Sequence, residues 1–317
     1  MINADKPHRW KADVIASVEQ YNDWFMKFAP KAYRNTRVAT AQRVVDAMRH
    51  TADFANLTPA DLKAQPDILP TLRMSTAPPI ARDRLVGLAY ASKSLVQTME
   101  EGGKLPPRLA AADLDAHLAR VCAVIDKLLD RDLFPWLASG QAATDQERAR
   151  AATIVADRLC GAVADPIIRN AQEARQLALI EAFLAARGYA KKPHPAGQPL
   201  TTMQAGTFSF RMNVVVGSVP NTVNIPVDVV IQPMAPKPSG FPLLIEAKSA
   251  GDFTNTNKRR KEEATKMHQL RATYGDDANL TLFLCGYFDG GYLGYEAAEG
   301  IDWVWEHRVE DMEQLGI

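Results

Sequence analysis

The sequence predicts an α+β protein in which a largely helical N-terminal region, residues 1–162, precedes a region of helices and strands, residues 163–317. Two observations support this prediction. Residues 10–160 are rich in Ala, Leu and Arg and show no convincing alternation of apolar and polar positions. Beyond residue 163, apolar runs typical of strands lie between segments with helical periodicity. At 317 residues, the chain is long enough for two domains or for one large domain with a substantial core.

The predicted N-terminal region begins with an amphipathic helix. Its apolar residues between positions 17 and 28 recur on one helical face, and Pro30 is expected to end it. Further helices are predicted over residues 38–55, 80–101, 112–129 and 144–162. Prolines and a glycine pair interrupt the pattern between these segments. The apolar stripes indicate a packed helical core rather than a cofactor site.

The second predicted region opens with a helix that ends near Arg187. Asp165 is expected to cap its N-terminus, with Pro166 at the first helical position, and Gly188 is expected to terminate it. Glu173 lies on the apolar stripe of this helix. Two interpretations of Glu173 stay open: an acid that points toward the core side, or a surface residue favoured by the positive end of the helix dipole.

Three strands, a helix and a further strand are predicted to follow. Residues 208–216 alternate between apolar and polar, and the apolar residues of 223–231 fall on every second position, so those of each strand are expected to share one face. Residues 243–248 form the third predicted strand. Residues 258–274 have helical periodicity, and the almost wholly apolar residues 280–285 are typical of a strand buried on both faces.

Three ionisable residues occupy strand positions that a simple packed sheet would not favour. Asp228 faces away from the apolar positions of its strand, and Glu246 and Lys248 share one face of the next strand. Prolines and a glycine in the connection predict a turn, so a hairpin can bring the three residues together. Charged groups at such positions are costly unless they are paired or bind a metal. The pattern therefore favours a divalent-metal site with a cationic helper over the alternative, a partly exposed, ion-paired strand face.

Composition and charge narrow the classes of function. With 37 Lys and Arg against 37 Asp and Glu, the formal net charge is zero, which excludes a globally basic nucleic-acid-binding protein. Any surface for nucleic acid must be a local patch. The three cysteines are far apart and have no zinc-ligand spacing, so they are expected to be small core residues of a reducing compartment. Without an apolar leader or a run of about 20 apolar residues, the protein is expected to be soluble and cytoplasmic.

The three ionisable residues resemble the PD-(D/E)xK nuclease signature. Pro226-Val227-Asp228 resembles its first half, although the proline lies two residues before the aspartate, and Glu246-Ala247-Lys248 matches its second half. The predicted order of helix, three strands, helix and strand is also that of the family's common core. The resemblance implies a restriction-endonuclease-like mixed sheet flanked by helices, an α/β-type nuclease core.

Longer segments resemble the XamI family of type II restriction endonucleases. They are LRMSTAPPIARDRLVGLA in the helical region, RNAQEARQL before the strands, and the tail GYFDGGYLGYEAAEGIDWVWEHRVEDM. The resemblance implies Mg²⁺-dependent hydrolysis of double-stranded DNA at a short specific site, leaving 5′-phosphates and 3′-hydroxyls. A palindromic site would require a homodimer, with the N-terminal helical region supplying dimer contacts, DNA clamping or both. A cognate DNA methyltransferase is expected in the host.

The resemblance also implies roles for the site residues. Asp228 and Glu246 are expected to bind Mg²⁺ together with the backbone carbonyl of Ala247. Lys248 is expected to hold the attacking water or the scissile phosphate. Because neighbouring carboxylates would raise its pKa, Lys248 is a poor candidate for the general base. Glu173 is expected to support the site.

A basic run follows the second half of the signature. Between Glu246 and Arg271, seven Lys and Arg stand against four Asp and Glu. A run of this kind is most often a solvated helix end, but beside a nuclease signature it favours contacts to the DNA backbone. The predicted DNA-binding residues are Asn255, Asn257, Lys258, Arg259, Arg260 and Lys261.

Two other functions stay open. A repair or junction nuclease can share the fold and the signature, because a fold does not fix a substrate. A non-catalytic DNA-binding module would require the acids to be structural, and the intact Asp228, Glu246 and Lys248 argue against it. The sequence contains none of the patterns GxxxxGK[ST], GxSxG and HExxH, which mark other catalytic sites.

Overall fold

The computed structural model describes residues 1–195, 197–218, 220–254 and 256–317, and the side chains of residues 257–260 lie outside this description. By contacts between Cα atoms, the chain divides into two compact units. Met1–Phe28 and Ile168–Ile317 form the first, the sheet unit, and Ala29–Ile167 form the second, the helical unit.

Helices account for most of residues 7–186. Their bounds are α1 Pro7–His50, α2 Pro59–Ala64, α3 Leu69–Met74, α4 Arg82–Ala89, α5 Lys93–Gly102, α6 Ala111–Leu128, α7 Trp136–Ser139 and α8 Asp145–Ala186. The helical unit has one apolar core, which includes Leu72, Leu95 and Phe134. Although α1 and α8 are 44 and 42 residues long, no helix in the described part of the chain combines the length and apolar character needed to span a bilayer.

Two predicted helix boundaries at prolines are wrong. Pro30 lies inside α1 and Pro166 lies inside α8, so Asp165 is a mid-helix residue rather than an N-cap. A proline inside a helix removes one backbone hydrogen bond and crowds the preceding turn, at a cost of about 3 kcal/mol. The hydrogen bonds and buried side chains of the flanking turns outweigh that cost. The unit boundaries nevertheless fall within two residues of these prolines.

The helix predicted over residues 80–101 is divided in the structure. α4 ends at Ala89, and the next residue, Tyr90, caps it with a left-handed backbone at φ 46°. α5 begins after Ser92, whose side chain accepts a hydrogen bond from the backbone N–H of Leu95. The apolar periodicity continues across this short connection, which is why the sequence suggested one helix. The helix predicted over 112–129 is confirmed as α6.

In the described part of the chain, the strands of the sheet unit form one six-stranded mixed sheet. In their order across the sheet they are β1 Ala190–Lys191, β2 Thr207–Ser218, β3 Asn221–Gln232, β4 Leu243–Ala250, β5 Leu280–Gly286 and β6 Asp302–Trp305. β3 pairs antiparallel with both neighbours, and the other pairs are parallel. α9, Thr256–Tyr274, joins β4 to β5, and α10, Gly290–Ala298, joins β5 to β6. The predicted α+β class, with a mixed sheet after a largely helical region, is confirmed.

Helices flank both faces of this sheet. On one face, side chains of α9 and α10, including Met267 and Leu293, pack in a cluster with Trp303 of β6. On the other face, α8 contributes Ile180 to a cluster with Phe283 of β5. β5 is buried at every position, as predicted for a strand covered on both sides.

The first 28 residues belong to the sheet unit. The carboxylate of Asp302, at the start of β6, accepts a hydrogen bond from the backbone N–H of Asn3 at 2.9 Å. Trp10 packs against Trp303 with 5.5 Å between ring centroids. The predicted division at residue 163 had grouped this segment with the helical region, because helical periodicity gives no sign of the element against which a helix packs.

The β2–β3 ribbon turns over halfway along its length. Val229 and Ile231 of β3 lie in the cluster on the α8 side, whereas Ile225 and Val227 lie in the cluster on the α9 side. The prediction that the alternate apolar residues of 223–231 share one face is therefore wrong. The reversal falls at Asp228, between the two sets.

Arg211 of β2 adopts the backbone conformation that accompanies this reversal. Its φ is +52°, and in the register it lies opposite Asp228, between the pairs Phe210–Val229 and Met212–Val227. For a residue other than glycine, the left-handed conformation costs roughly 1–2 kcal/mol. An arginine gives no sequence signal of such a conformation, so alternation alone could not locate the reversal.

Candidate active site

The antiparallel pairing of β3 and β4 stops where the predicted acids begin. The last paired residues are Val229 and Ile245, and Asp228 and Glu246 come next along the two strands. Oδ2 of Asp228 accepts a hydrogen bond from the backbone N–H of Ala247 at 2.8 Å. The Asp228 side chain thus accepts the Ala247 N–H in place of a backbone carbonyl of β3. This hydrogen bond fixes the carboxylate beside β4.

The predicted site residues meet in a cleft of about 330 Å³ at this point. Its acidic residues outnumber its basic ones, so the cleft suits a cation. The lining residues are Arg169, Glu173, Gln176, Asp228, Glu246, Ala247, Lys248, Ser249 and Glu262. The structure therefore brings together the four predicted catalytic residues and Ala247.

Lys248 is held between two carboxylates. Its Nζ lies 3.0 Å from Oε1 of Glu246 and 3.3 Å from Oε1 of Glu263, a fully buried residue of α9. A buried ammonium with two carboxylate neighbours is stabilised as the cation. This arrangement fixes the position of the ammonium at the bottom of the cleft.

A second lysine reaches the same acid. Nζ of Lys266, also on α9, lies 2.6 Å from Oε1 of Glu246 and donates to the backbone carbonyl of Pro226 at 3.2 Å. Oε1 of Glu246 is therefore shared by two ammonium groups, one from β4 and one from α9.

Sequence reasoning missed Glu263 and Lys266, although a signal was present. Each lies four residues before an inward-facing apolar residue of α9, Met267 and Leu270 respectively, so both lie on the buried stripe of the helix. A charged residue on such a stripe is costly unless it is paired. The same reasoning had singled out Glu173 on α8.

Burial and charge shift the pKa values of the central residues. The pKa of Asp228 is raised to about 6, first by burial and then by the neighbouring charge of Glu246. Burial would lower the pKa of Lys248, but the carboxylates of Glu246 and Glu263 outweigh it, and the net shift is upward. Lys248 is therefore a firm cation near neutral pH, which agrees with a role in holding an anion rather than in removing a proton.

α8 is attached to the site by an amide side chain. Nε2 of Gln176 donates to the backbone carbonyl of Phe283 on β5 at 3.2 Å and lies 3.4 Å from that of Lys248 on β4. One turn earlier, Oε1 of Glu173 accepts hydrogen bonds from Nη2 of Arg211 at 2.8 Å and from its Nε at 3.1 Å. The helix-dipole interpretation of Glu173 is wrong, because α8 begins at Asp145 and Glu173 lies far from its N-terminus. Glu173 instead lines the cleft, with its side chain about one third exposed. An exposed pair of this kind contributes less than about 1 kcal/mol.

The donor atoms of the cleft fit a hard divalent cation. Oε2 of Glu246 is buried and has no hydrogen-bond partner among the described residues. An unpartnered buried carboxylate oxygen is costly, and a bound cation would compensate that cost. No group of three or more His, Cys, Asp and Glu side chains in the described ranges is arranged as a metal cage. Mg²⁺ does not need one, because it binds through one or two carboxylates and keeps several waters.

The predicted DNA-binding run lies mostly outside the described atoms. Asn255 lies outside the described residues, and so do the side chains of Asn257, Lys258, Arg259 and Arg260. Lys261, within α9, has an exposed side chain. The DNA contacts of this run stay a prediction.

The chain is similar to known restriction enzymes along most of its length. The family profile described as XamI restriction endonuclease matches residues 52–305. The type II restriction enzyme SalI from Streptomyces albus G is 66% identical over 316 residues, a match that covers 100% of each chain. Among solved structures, protein VC1899 from Vibrio cholerae matches with a TM-score of 0.29 and 13% identity, covering 87% of this chain and 55% of that protein. The chain thus spans about half of VC1899, and a likeness this weak carries no argument.

Proposed function

Because the chain belongs to the XamI restriction endonuclease family and is a site-specific DNA endonuclease of type II, we propose that it hydrolyses double-stranded DNA with Mg²⁺ in the cleft between β3, β4 and α9. The products would carry 5′-phosphates and 3′-hydroxyls. The observation that carries this proposal is the buried, unpartnered Oε2 of Glu246 in a cleft that also holds Asp228 and Lys248.

Asp228 and Glu246 would hold the ion, with the carbonyl of Ala247 as a further ligand. Asp228 is already fixed by its hydrogen bond from the Ala247 N–H. Because its pKa is raised, a proton competes with the cation for this carboxylate as the pH falls below neutral. When bound, Mg²⁺ supplies Lewis-acid stabilisation of the charge that develops on the phosphate.

Lys248 would orient the attacking water or the scissile phosphate. It is a cation with little freedom, because Glu246 and Glu263 hold its ammonium from two sides. A fixed positive charge aimed at the place where negative charge develops stabilises a transition state without reorganisation. Glu263 is thus a positioning residue for Lys248, and Glu173 is a supporting residue at the rim.

Lys266 would balance the acids of the cleft. Its contact with Oε1 of Glu246 leaves Oε2 as the oxygen that a cation can take. The pairing offsets the mutual repulsion of Asp228 and Glu246 at the point where the two strands diverge.

The active assembly would contain two copies of the chain. A palindromic DNA site is matched by two-fold protein symmetry, so a homodimer is expected, with dimer contacts or DNA clamping supplied by the helical unit. The basic run that begins α9 would contact the DNA backbone. Such an enzyme would act in the cytoplasm of a host that protects its own sites with a cognate methyltransferase.

The test is digestion of several unmethylated plasmid and phage DNAs by the purified protein, with Mg²⁺ and with EDTA. Discrete fragments that disappear with EDTA and with Lys248→Ala are expected, and sequencing of their ends gives the site and the end chemistry. Lys191→Ala, which removes an exposed lysine of β1, is the matched control and should cut normally. Tight binding without cleavage would instead indicate a non-catalytic DNA-binding module. Cleavage confined to junctions or damaged DNA would indicate a repair nuclease.

A further inference from the structure

Arg211 of β2 combines three features that are unusual for an arginine in a strand. It has a left-handed backbone in the middle of a strand, it lies directly opposite Asp228, and its side chain is 65% exposed. Backbone strain of this kind clusters at functional sites, where surrounding structure maintains it.

The left-handed backbone has a structural use, but arginine adopts this conformation less readily than glycine or asparagine. The left-handed conformation allows the β2–β3 ribbon to turn over at Asp228, so that apolar residues before and after it pack on opposite faces of the sheet. Glycine adopts this conformation without strain, and asparagine does so more readily than arginine. Stability would therefore favour glycine at position 211.

The contacts of Arg211 do not repay that cost. In the described part of the chain, its hydrogen bonds go from Nε and Nη2 to one oxygen of Glu173, which is itself partly exposed. Exposed ion pairs contribute little to stability. A guanidinium has about five N–H donors in a fork that matches a phosphate, so donors remain for a second anion.

The pairing with Glu173 also places the guanidinium at the active-site cleft. Glu173 lines the cleft together with Asp228, Glu246 and Lys248. The acids inside the cleft repel the DNA backbone, which must approach for cleavage, and a cation at the rim counteracts that repulsion.

We propose that Arg211 binds a phosphate of the DNA strand that enters the cleft, next to the scissile position, and that Glu173 pre-orients its guanidinium. This inference rests on the proposed nuclease function. It identifies a substrate-contacting residue outside the PD-(D/E)xK signature and gives a reason for an arginine, rather than a glycine, at the strained position of β2.

Three substitutions separate the charge of the side chain from the strain of the backbone. Arg211→Gly and Arg211→Asn remove the charge and relieve the strain, whereas Arg211→Lys keeps both. Arg211→Gly and Arg211→Asn are expected to melt at the wild-type Tm or above it, yet to lose about tenfold in kcat/KM through a higher KM. Arg211→Lys should recover most of this loss.

Binding is measured on a duplex of about 25 base pairs that contains the site cut by the wild-type protein, in a Lys248→Ala background so that the DNA stays intact. The plot of log K against log salt should become shallower by about 0.9 for each arginine removed, because each phosphate contact contributes about that slope. Arg211→Lys should keep the original slope.

The possible results are distinguishable. If the wild-type protein cuts the duplex and the glycine and asparagine variants bind with an unchanged salt slope, Arg211 does not contact DNA and the inference is overturned while the nuclease function stands. A clearly lower Tm in both variants, with normal binding, would assign Arg211 to the fold instead. If the wild-type protein cuts no DNA, the proposed function fails and this inference falls with it.

Discussion

Glu296 on α10 offers a test of the electrostatics beneath the active site. Its side chain is fully buried, and burial together with the nearby charge of Glu263 raises its pKa from 4.5 to about 8. The group is therefore protonated in the folded protein at neutral pH. A neutral carboxyl at Glu296 places no second negative charge beside Glu263, the partner of Lys248.

The shift predicts how stability changes with pH. Between pH 4.5 and about 8, the folded protein binds a proton that the unfolded chain releases. The contribution of this group is present in full below pH 4.5, falls as the pH rises, and is lost above about pH 8. The slope is about 1.4 kcal/mol per pH unit, so at pH 7 the cost is on the order of 3 kcal/mol.

Glu296→Gln removes this dependence, because glutamine has nearly the shape of the protonated acid and does not ionise. Urea unfolding at pH 5, 6, 7 and 8 should show that the variant exceeds wild type by under about 1 kcal/mol at pH 5 and by about 3 kcal/mol at pH 7. Other titrating groups cancel in the difference. Glu310→Gln, at an exposed position, is the control and should show no such trend. A gap that stays constant with pH would refute the reasoning.

Two further predictions concern α9 and the last residue of β5, which pairs with the last residue of β4. Lys266→Met removes a cation 2.6 Å from Oε1 of Glu246. Because that cation repels a bound metal ion, the Mg²⁺ concentration for half-maximal cleavage should fall at least about threefold. An unchanged or higher concentration would contradict the role of Lys266. Gly286 has φ +99°, and a Cβ there would lie 2.1 Å from the carbonyl oxygen of Ala250. Gly286→Ala should therefore lower the free energy of unfolding in urea by about 2–4 kcal/mol. Gly290→Ala, where a Cβ would have nothing within 4 Å, is the control and should change it by less than about 0.5 kcal/mol. Equal losses would show that the contact with Ala250 does not matter.

The sequence was sufficient to predict the centre of the cleft. Period-2 spacing placed Glu246 and Lys248 on one face of their strand, and the turn-rich connection brought Asp228 beside them; both depend only on local chain geometry. β5 was recognisable because a strand buried on both faces must be apolar throughout. Features of this kind follow from local rules that tertiary packing reinforces.

Other features could not be predicted because their causes are not local. Pro30 and Pro166 break a short helix but are tolerated in helices of 44 and 42 residues, where flanking turns outweigh the lost hydrogen bond. The turnover of the β2–β3 ribbon depends on the backbone of Arg211, a residue type that rarely adopts positive φ. In both cases, the intrinsic preference of the residue type disfavours the observed backbone conformation, and tertiary packing imposes it.

α9 carries both the charged partners of the proposed active site and the basic run proposed to contact DNA. Its inward stripe delivers Glu263 to Lys248 and Lys266 to Glu246, and Met267 and Leu270 on the same stripe hold the helix against the sheet. The basic run that would contact the DNA backbone occupies the first turns of the same helix. A displacement of α9 on DNA binding would therefore move Glu263 and Lys266 at the same time. These two residues are the charged partners of Lys248 and Glu246 on β4. Substrate binding and the electrostatics of the proposed metal site are expected to be coupled through this one helix, with its buried stripe as the physical connection.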